Sequence, residues 1–157
     1  MRRALAICVS MALLGTAAYA ASDPLIGNWR LESQEINGQP SKADTLTLRI
    51  TQEGDKLRFA FSVPINNVYF VSMTYTVKPD GSVGEVKNSK GETMGTVELT
   101  SSGPSEYKLV LKGTNRPDSN GKITLSADGK TLISEQNTVP AGPTARSIHS
   151  KQVFSHY

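Results

Sequence analysis

The chain has 157 residues, 38% of them apolar, with 17 basic and 14 acidic side chains and a net charge of +3; that is enough for one domain and too little for two separate cores. Without Arg2 and Arg3 the balance becomes 15 basic against 14 acidic, and about a third of the residues after position 20 are apolar. A near-neutral domain gives no electrostatic case for a nucleic-acid partner or for general attraction to a charged membrane surface.

Met1-Arg2-Arg3 forms a positive start, Ala4 to Leu14 an apolar run, and Ala18-Tyr19-Ala20 a small-x-small cleavage site, the three parts of a secretory signal. Gly15 and Thr16 interrupt the run well before the ~20 apolar residues that a membrane span needs. Residues 1–20 are therefore expected to be removed, leaving 21–157 as a single periplasmic or secreted domain with no stable membrane span. Cys8 is the only cysteine and leaves with the signal, so the mature domain has no disulfide, cysteine nucleophile or cysteine metal site.

The remaining sequence alternates short β-patterned runs with turn clusters, and no window keeps a helical apolar period. Trp29 to Ser33 is the first predicted strand, with Trp29 and Leu31 on one face, followed by a polar connection from Ile36 to Ser41. Thr45 to Thr51 alternates strictly, with Leu46, Leu48 and Ile50 on one face. The loop Glu53-Gly54-Asp55 leads into Lys56 to Val63, whose apolar face is Leu57, Phe59, Phe61 and Val63. Pro64 ends that strand because it has no N–H for the ladder.

Val68 to Val77 follows, with Tyr69, Val71, Met73, Tyr75 and Val77 on one face. Strands are then expected at Ser82 to Lys87, Thr93 to Thr100, Glu106 to Lys112, Lys122 to Ser126, Thr131 to Asn137 and Arg146 to Ser155. Pro79-Asp80-Gly81 and Asp128-Gly129 mark turns among them. This succession predicts an all-β, single antiparallel up-and-down β-barrel of about 8–10 strands. With so few apolar residues, a curled sheet whose apolar sides converge needs the least coating, and closure removes exposed edges.

Asp23-Pro24-Leu25-Ile26-Gly27-Asn28-Trp29-Arg30-Leu31 resembles the G-x-W opening strand of lipocalin-like (calycin) barrels. The Asp80-Gly81 and Ser126 to Leu132 hairpins look like those of small exported bacterial proteins of that group. The resemblance implies a barrel closed at one end by Trp29 and open at the other to a cavity for a small apolar ligand. It also implies a basic partner stacked on that tryptophan from the end of the sheet, for which the last strand offers Arg146 and Lys151. The haem-binding branch is disfavoured, because Arg30-Leu31-Glu32 stands where its further glycine would follow.

No sequence feature calls for a metal, cofactor or catalytic group. His149 and His156, seven apart, fall on opposite faces of a regular strand and about 23 Å apart, too far to share an ion. No nucleophile elbow, zinc-binding helix motif, P-loop or dinucleotide fingerprint occurs. Glu32, Glu35, Glu98 and Glu135 read as solvent-face carboxylates rather than a glycosidase pair. Arg30, Arg49, Arg58 and Lys56 lie on the polar faces of the early strands, where outward solvation is the base expectation and an inward turn would create a carboxylate site.

The aromatic and thioether cluster of Phe59, Phe61, Tyr69, Met73 and Tyr75 on two neighbouring strands is the candidate ligand-binding surface, with Ser62 and Thr74 beside it. A plain packed core is the alternative reading. The expected function is an exported, non-enzymatic barrel that holds a small hydrophobic or amphipathic molecule. The alternative is an envelope interaction or inhibitor protein that acts through a sheet face or through loops such as Pro64 to Asn67 and Val139 to Ala145.

Overall fold

The computed structural model describes residues 22–42, 45–114, 117–140 and 145–157; the expected signal and its cleavage site lie outside them, as does part of the Val139 to Ala145 loop. No helix occurs among the described residues, and none is long and apolar enough to cross a membrane. The strands are β1 (Gly27–Ile36), β2 (Gln39–Ser41), β3 (Thr47–Glu53), β4 (Lys56–Ile65), β5 (Val68–Val77), β6 (Asp80–Asn88), β7 (Thr93–Gly103), β8 (Glu106–Gly113), β9 (Asp118–Leu125), β10 (Thr131–Val139) and β11 (Ile148–His156).

Each strand from β3 to β11 pairs antiparallel with the next, and β3 pairs with the first half of β1. The ring closes where β1 meets β11, from Trp29 opposite His156 to Ile36 opposite Ser150. The result is a closed ten-stranded antiparallel barrel, to which the short β2 adds a hairpin on the second half of β1. Around the ring each strand has a hydrogen-bonded neighbour on both sides, so the apolar interior is bought with little exposed ladder outside the β4–β5 tip.

The strand expected from Lys122 instead begins at Asp118, because Asp118 to Gly121 pair with β10, and two further connections differ from the sequence expectation. The segment from Ile36 to Ser41 is a hairpin rather than a loop, because Asn37 and Gly38 both adopt positive φ (52° and 75°), the geometry of a two-residue turn matched to strand twist. Likewise β4 runs through Pro64 to Ile65 and turns at Asn66 and Asn67, with φ of 51° and 63°. Pro64 is tolerated there because β3 pairs no farther than Ser62, leaving one edge of the ribbon free where a missing N–H costs nothing.

The barrel is packed solid at one end. Trp29, Phe59, Phe154, Leu25, Leu99 and Leu132 are fully buried, and the Trp29 indole donates to the carbonyl of Leu25 at 3.0 Å. Leu25 belongs to the segment before β1, which Asp23 fixes by accepting from Leu25 N–H at 2.9 Å and from the Tyr107 hydroxyl at 3.0 Å. Burial, the charge of Asp23 and this hydrogen bond raise the Tyr107 phenol above its ordinary range, so it stays a donor.

The partner stacked on Trp29 is neither Arg146 nor Lys151. His156 packs edge-on against the indole, with ring centroids 5.1 Å apart and planes at 89°. The register decides this: Trp29 sits directly opposite His156, whereas Arg146 precedes β11 and Lys151 lies on the other phase from Phe154 and His156. Arg30, pointing the other way, places its guanidinium 4.6 Å from the Tyr157 ring centroid, a cation–π contact at the same end.

Candidate functional site

At the end opposite Trp29 the barrel holds a cavity of about 450 Å³, inside the range of small-molecule sites. Its wall has two halves. The mainly apolar half is formed by Phe61, Met73, Tyr75, Val86, Met94 and Leu111, with Ser72 and Thr96 among them, and the mainly polar half by Gln34, Ser119, Gln136, Thr138, Ser150 and Gln152, with Ile36 and Ile148 at its outer ends. Among the described residues no aspartate, glutamate or arginine lines it. Its one lysine, Lys112, is exposed, since the neighbouring Leu111 and Gly113 hold the inward positions of β8.

The polar half comes from β1, β9, β10 and β11, whose inward phase changes character along each strand. On β10 it runs Leu132, Ser134, Gln136, Thr138, and on β11 Phe154, Gln152, Ser150, Ile148. Leu132 and Phe154 are buried in the packed end, and the cavity begins where their strands turn polar. The polar groups bond to one another: Ser119 donates to Gln136 Oε1 at 3.3 Å, Gln136 Nε2 to Ser134 Oγ at 3.2 Å, and Gln152 Nε2 to Gln34 Oε1 at 3.5 Å.

Three bulges set which side chains reach this wall. In β1 the register slips at Glu32, so Trp29 and Leu31 are followed inward by Gln34 and Ile36, and Glu35 is left outside. In β5 the extra residue is Ser72, whose hydroxyl donates to the Phe61 carbonyl at 3.2 Å. In β7 it is Met94, inserted where Val86 faces Gly95 and Lys87 faces Thr93. A bulge reverses the alternation beyond it, and Gln34, Ser72 and Met94 all line the cavity as a result.

The expected ligand surface divides accordingly. Phe61, Met73 and Tyr75 lie on the cavity wall. Phe59 does not: it is fully buried beneath, stacked on Tyr75 with centroids 4.5 Å apart. Tyr69 does not either, being about half exposed, because the Ser72 bulge interrupts the phase that would have carried it inward with Met73 and Tyr75. Ser62 and Thr74 are also absent from the wall. Burial raises the Tyr75 phenol above its ordinary range, so it faces the cavity as a neutral hydroxyl.

The remaining candidates lie outside the cavity. His149 contacts Asn137 Oδ1 at 3.0 Å on the phase opposite His156, and no group of three metal-ligating side chains occurs among the described residues. Glu32 accepts from Ser155, and Glu135 pairs with Lys122 at 3.1 Å. Arg58 pairs with Glu53 at 3.6 Å, and none of Arg30, Arg49, Arg58 or Lys56 lines the cavity. Gln34, Ser119, Gln136 and Gln152 escaped sequence reasoning because uncharged amides and hydroxyls match no motif. Their signal was polar residues continuing an inward phase begun by Leu132 or ended by Phe154.

The β4–β5 hairpin projects at the open end. Ile65, Val68, Tyr69, Phe70 and Val71 are all substantially exposed, since β3 pairs with β4 no farther than Ser62 and β6 with β5 no farther than Met73.

Ten antiparallel strands, a plugged floor and an open mouth define a barrel of the lipocalin-like kind. No protein-family model matches the chain, and no curated protein matches it. Among solved structures it is similar to the S-type phycobiliprotein lyase CPES from Guillardia theta, with a TM-score of 0.58, 12% identity, and coverage of 85% of this chain and 89% of that one. It is also similar to EF1p2_mFAP2b bound to DFHBI, with a TM-score of 0.42, 11% identity, and coverage of 87% and 97%. At these identities the first likeness speaks to the fold alone.

Proposed function

We propose that this chain is an exported, non-enzymatic binding protein that holds a small hydrophobic or amphipathic molecule in the open end of its barrel. The observation that carries this reading is the 450 Å³ cavity, half apolar and half hydrogen-bonding, above a solidly packed floor. The wall offers amide, hydroxyl, thioether and aromatic groups rather than a paired acid and base, which favours binding over turnover. Export rests on the sequence of residues 1–20: expressed with that segment in a Gram-negative host, the processed protein is expected to begin at Ala21 by N-terminal sequencing, and an unprocessed product would count against export.

The cavity reading is tested with N-phenyl-1-naphthylamine, a neutral apolar dye whose fluorescence rises in apolar surroundings. Saturable binding is expected, with affinity falling at least tenfold in Met94→Trp, where the larger side chain fills the wall. The exposed hairpin favours a second reading, a protein that docks a partner through Ile65 to Val71. The same titration separates the two, because Tyr69→Ser with Phe70→Ser leaves dye binding unchanged if the cavity is the site. A chain that binds no dye, or binds it equally well with Trp at 94, does not use its interior.

A further inference from the structure

We infer that the ligand is uncharged and carries hydrogen-bonding groups along one edge, with an apolar face opposite; the inference rests on the cavity reading above and goes on to say what the cavity selects. The polar groups are spread along the cavity rather than gathered at one point. Gln34 faces Gln152, and Gln152 faces Ser134. One step toward the mouth Ser150 faces Gln136, and at the rim Thr138 faces Ser119. Across the barrel Phe61, Met73, Tyr75 and Leu111 present a mainly apolar surface with one neutral phenol, and Ser72 and Thr96 lie beside them.

The wall offers donors and acceptors together. Each glutamine has two N–H donors and a carbonyl. The internal bonds use one N–H of Gln136, one N–H of Gln152 and the carbonyls of Gln136 and Gln34, leaving N–H groups on all three and the carbonyl of Gln152. A carboxylate only accepts and would press its charge on that carbonyl, and an ammonium only donates and would meet the N–H groups. Neither has a counter-charge among the described residues, where no acidic or arginine side chain lines the cavity and Lys112 turns outward. Burying an unpaired ion is costly, whereas a neutral amide, ketone or hydroxyl edge satisfies both kinds of group.

The test compares 2-anthracenecarboxamide with 2-anthracenecarboxylate at pH 7.5, each displacing N-phenyl-1-naphthylamine from the wild-type protein. The amide is expected to bind at least tenfold more tightly than the carboxylate. The double variant Gln136→Met and Gln152→Met, which preserves volume, is expected to lose about tenfold in amide affinity, and the ratio of amide to dye affinity is expected to fall by at least that factor. Equal or tighter binding of the carboxylate overturns the inference, as does a double variant whose amide affinity is unchanged. Failure of the dye itself to bind wild-type protein removes the cavity reading instead, and this inference with it.

Discussion

Trp29→Ala is expected to lower stability by about 3–5 kcal/mol, a large part of what a domain of this size has. The indole is fully buried, its N–H is held by the Leu25 carbonyl at 3.0 Å, and the His156 ring packs perpendicular to it with centroids 5.1 Å apart. Removing it opens a void at the floor of the barrel and orphans the segment that carries Leu25, so the loss combines packing with a hydrogen bond. Calorimetry is expected to show a melting point lower by roughly 10–20 °C. Trp29→Phe keeps most of the volume and loses the donor, and is expected to fall less than half as far. Because the chain has a single tryptophan, its intrinsic emission in wild-type protein reports on this floor alone. A melting point for Trp29→Ala within 3 °C or so of wild type would show that Trp29 does not close the barrel.

Gly121→Ala is expected to be the most damaging single-methyl change, at roughly 3 kcal/mol. Gly121 lies on the inward phase of β9 between Ser119 and Ile123, and a Cβ there would overlap the backbone carbonyl of Glu135 on β10. Backbone cannot step aside as a flexible side chain can. Gly84 on β6 and Gly95 on β7 meet the same limit, against the carbonyls of Thr76 and Lys112. Glycine at inward positions lets neighbouring strands coil tightly enough to close, and these three mark where the ring bends. Gly103→Ala is the control: nothing lies within 4 Å of its added methyl, and its effect is expected to stay within about 0.5 kcal/mol. Urea titrations of the two variants check both numbers. Similar midpoints for Gly121→Ala and Gly103→Ala would mean that the sheet relaxes around a side chain at 121.

The strand pattern made most of the barrel legible. Val68 to Val77 carries the same bounds in sequence and structure, because a long apolar run between Asn67 and Pro79 has no competing way to fold. Elsewhere the bounds move: β4 runs on through Pro64, where pairing with one neighbour alone sufficed, while β3 and β11 begin two residues later than expected. The Asn37-Gly38 turn carried a strong local signal that the surrounding polar residues obscured. In the site, Phe61, Met73 and Tyr75 follow from strict alternation on neighbouring strands, while Tyr69 does not, because alternation was carried across a bulge that leaves no mark in composition.

Composition and periodicity by themselves determined that this protein is a curled antiparallel sheet with an indole near its first strand, since apolar residues at every second position can be buried only on a common inner side. Where the core stops and the cavity starts was decided by the tertiary structure. Pairing register, set between strands far apart in the chain, slips at Glu32, Ser72 and Met94. Each slip exchanges the inner and outer faces of the residues beyond it. It is this exchange that leaves Glu35 outside and turns Gln34 toward Gln152, so that among the described residues the interior becomes polar on one side without taking in a carboxylate.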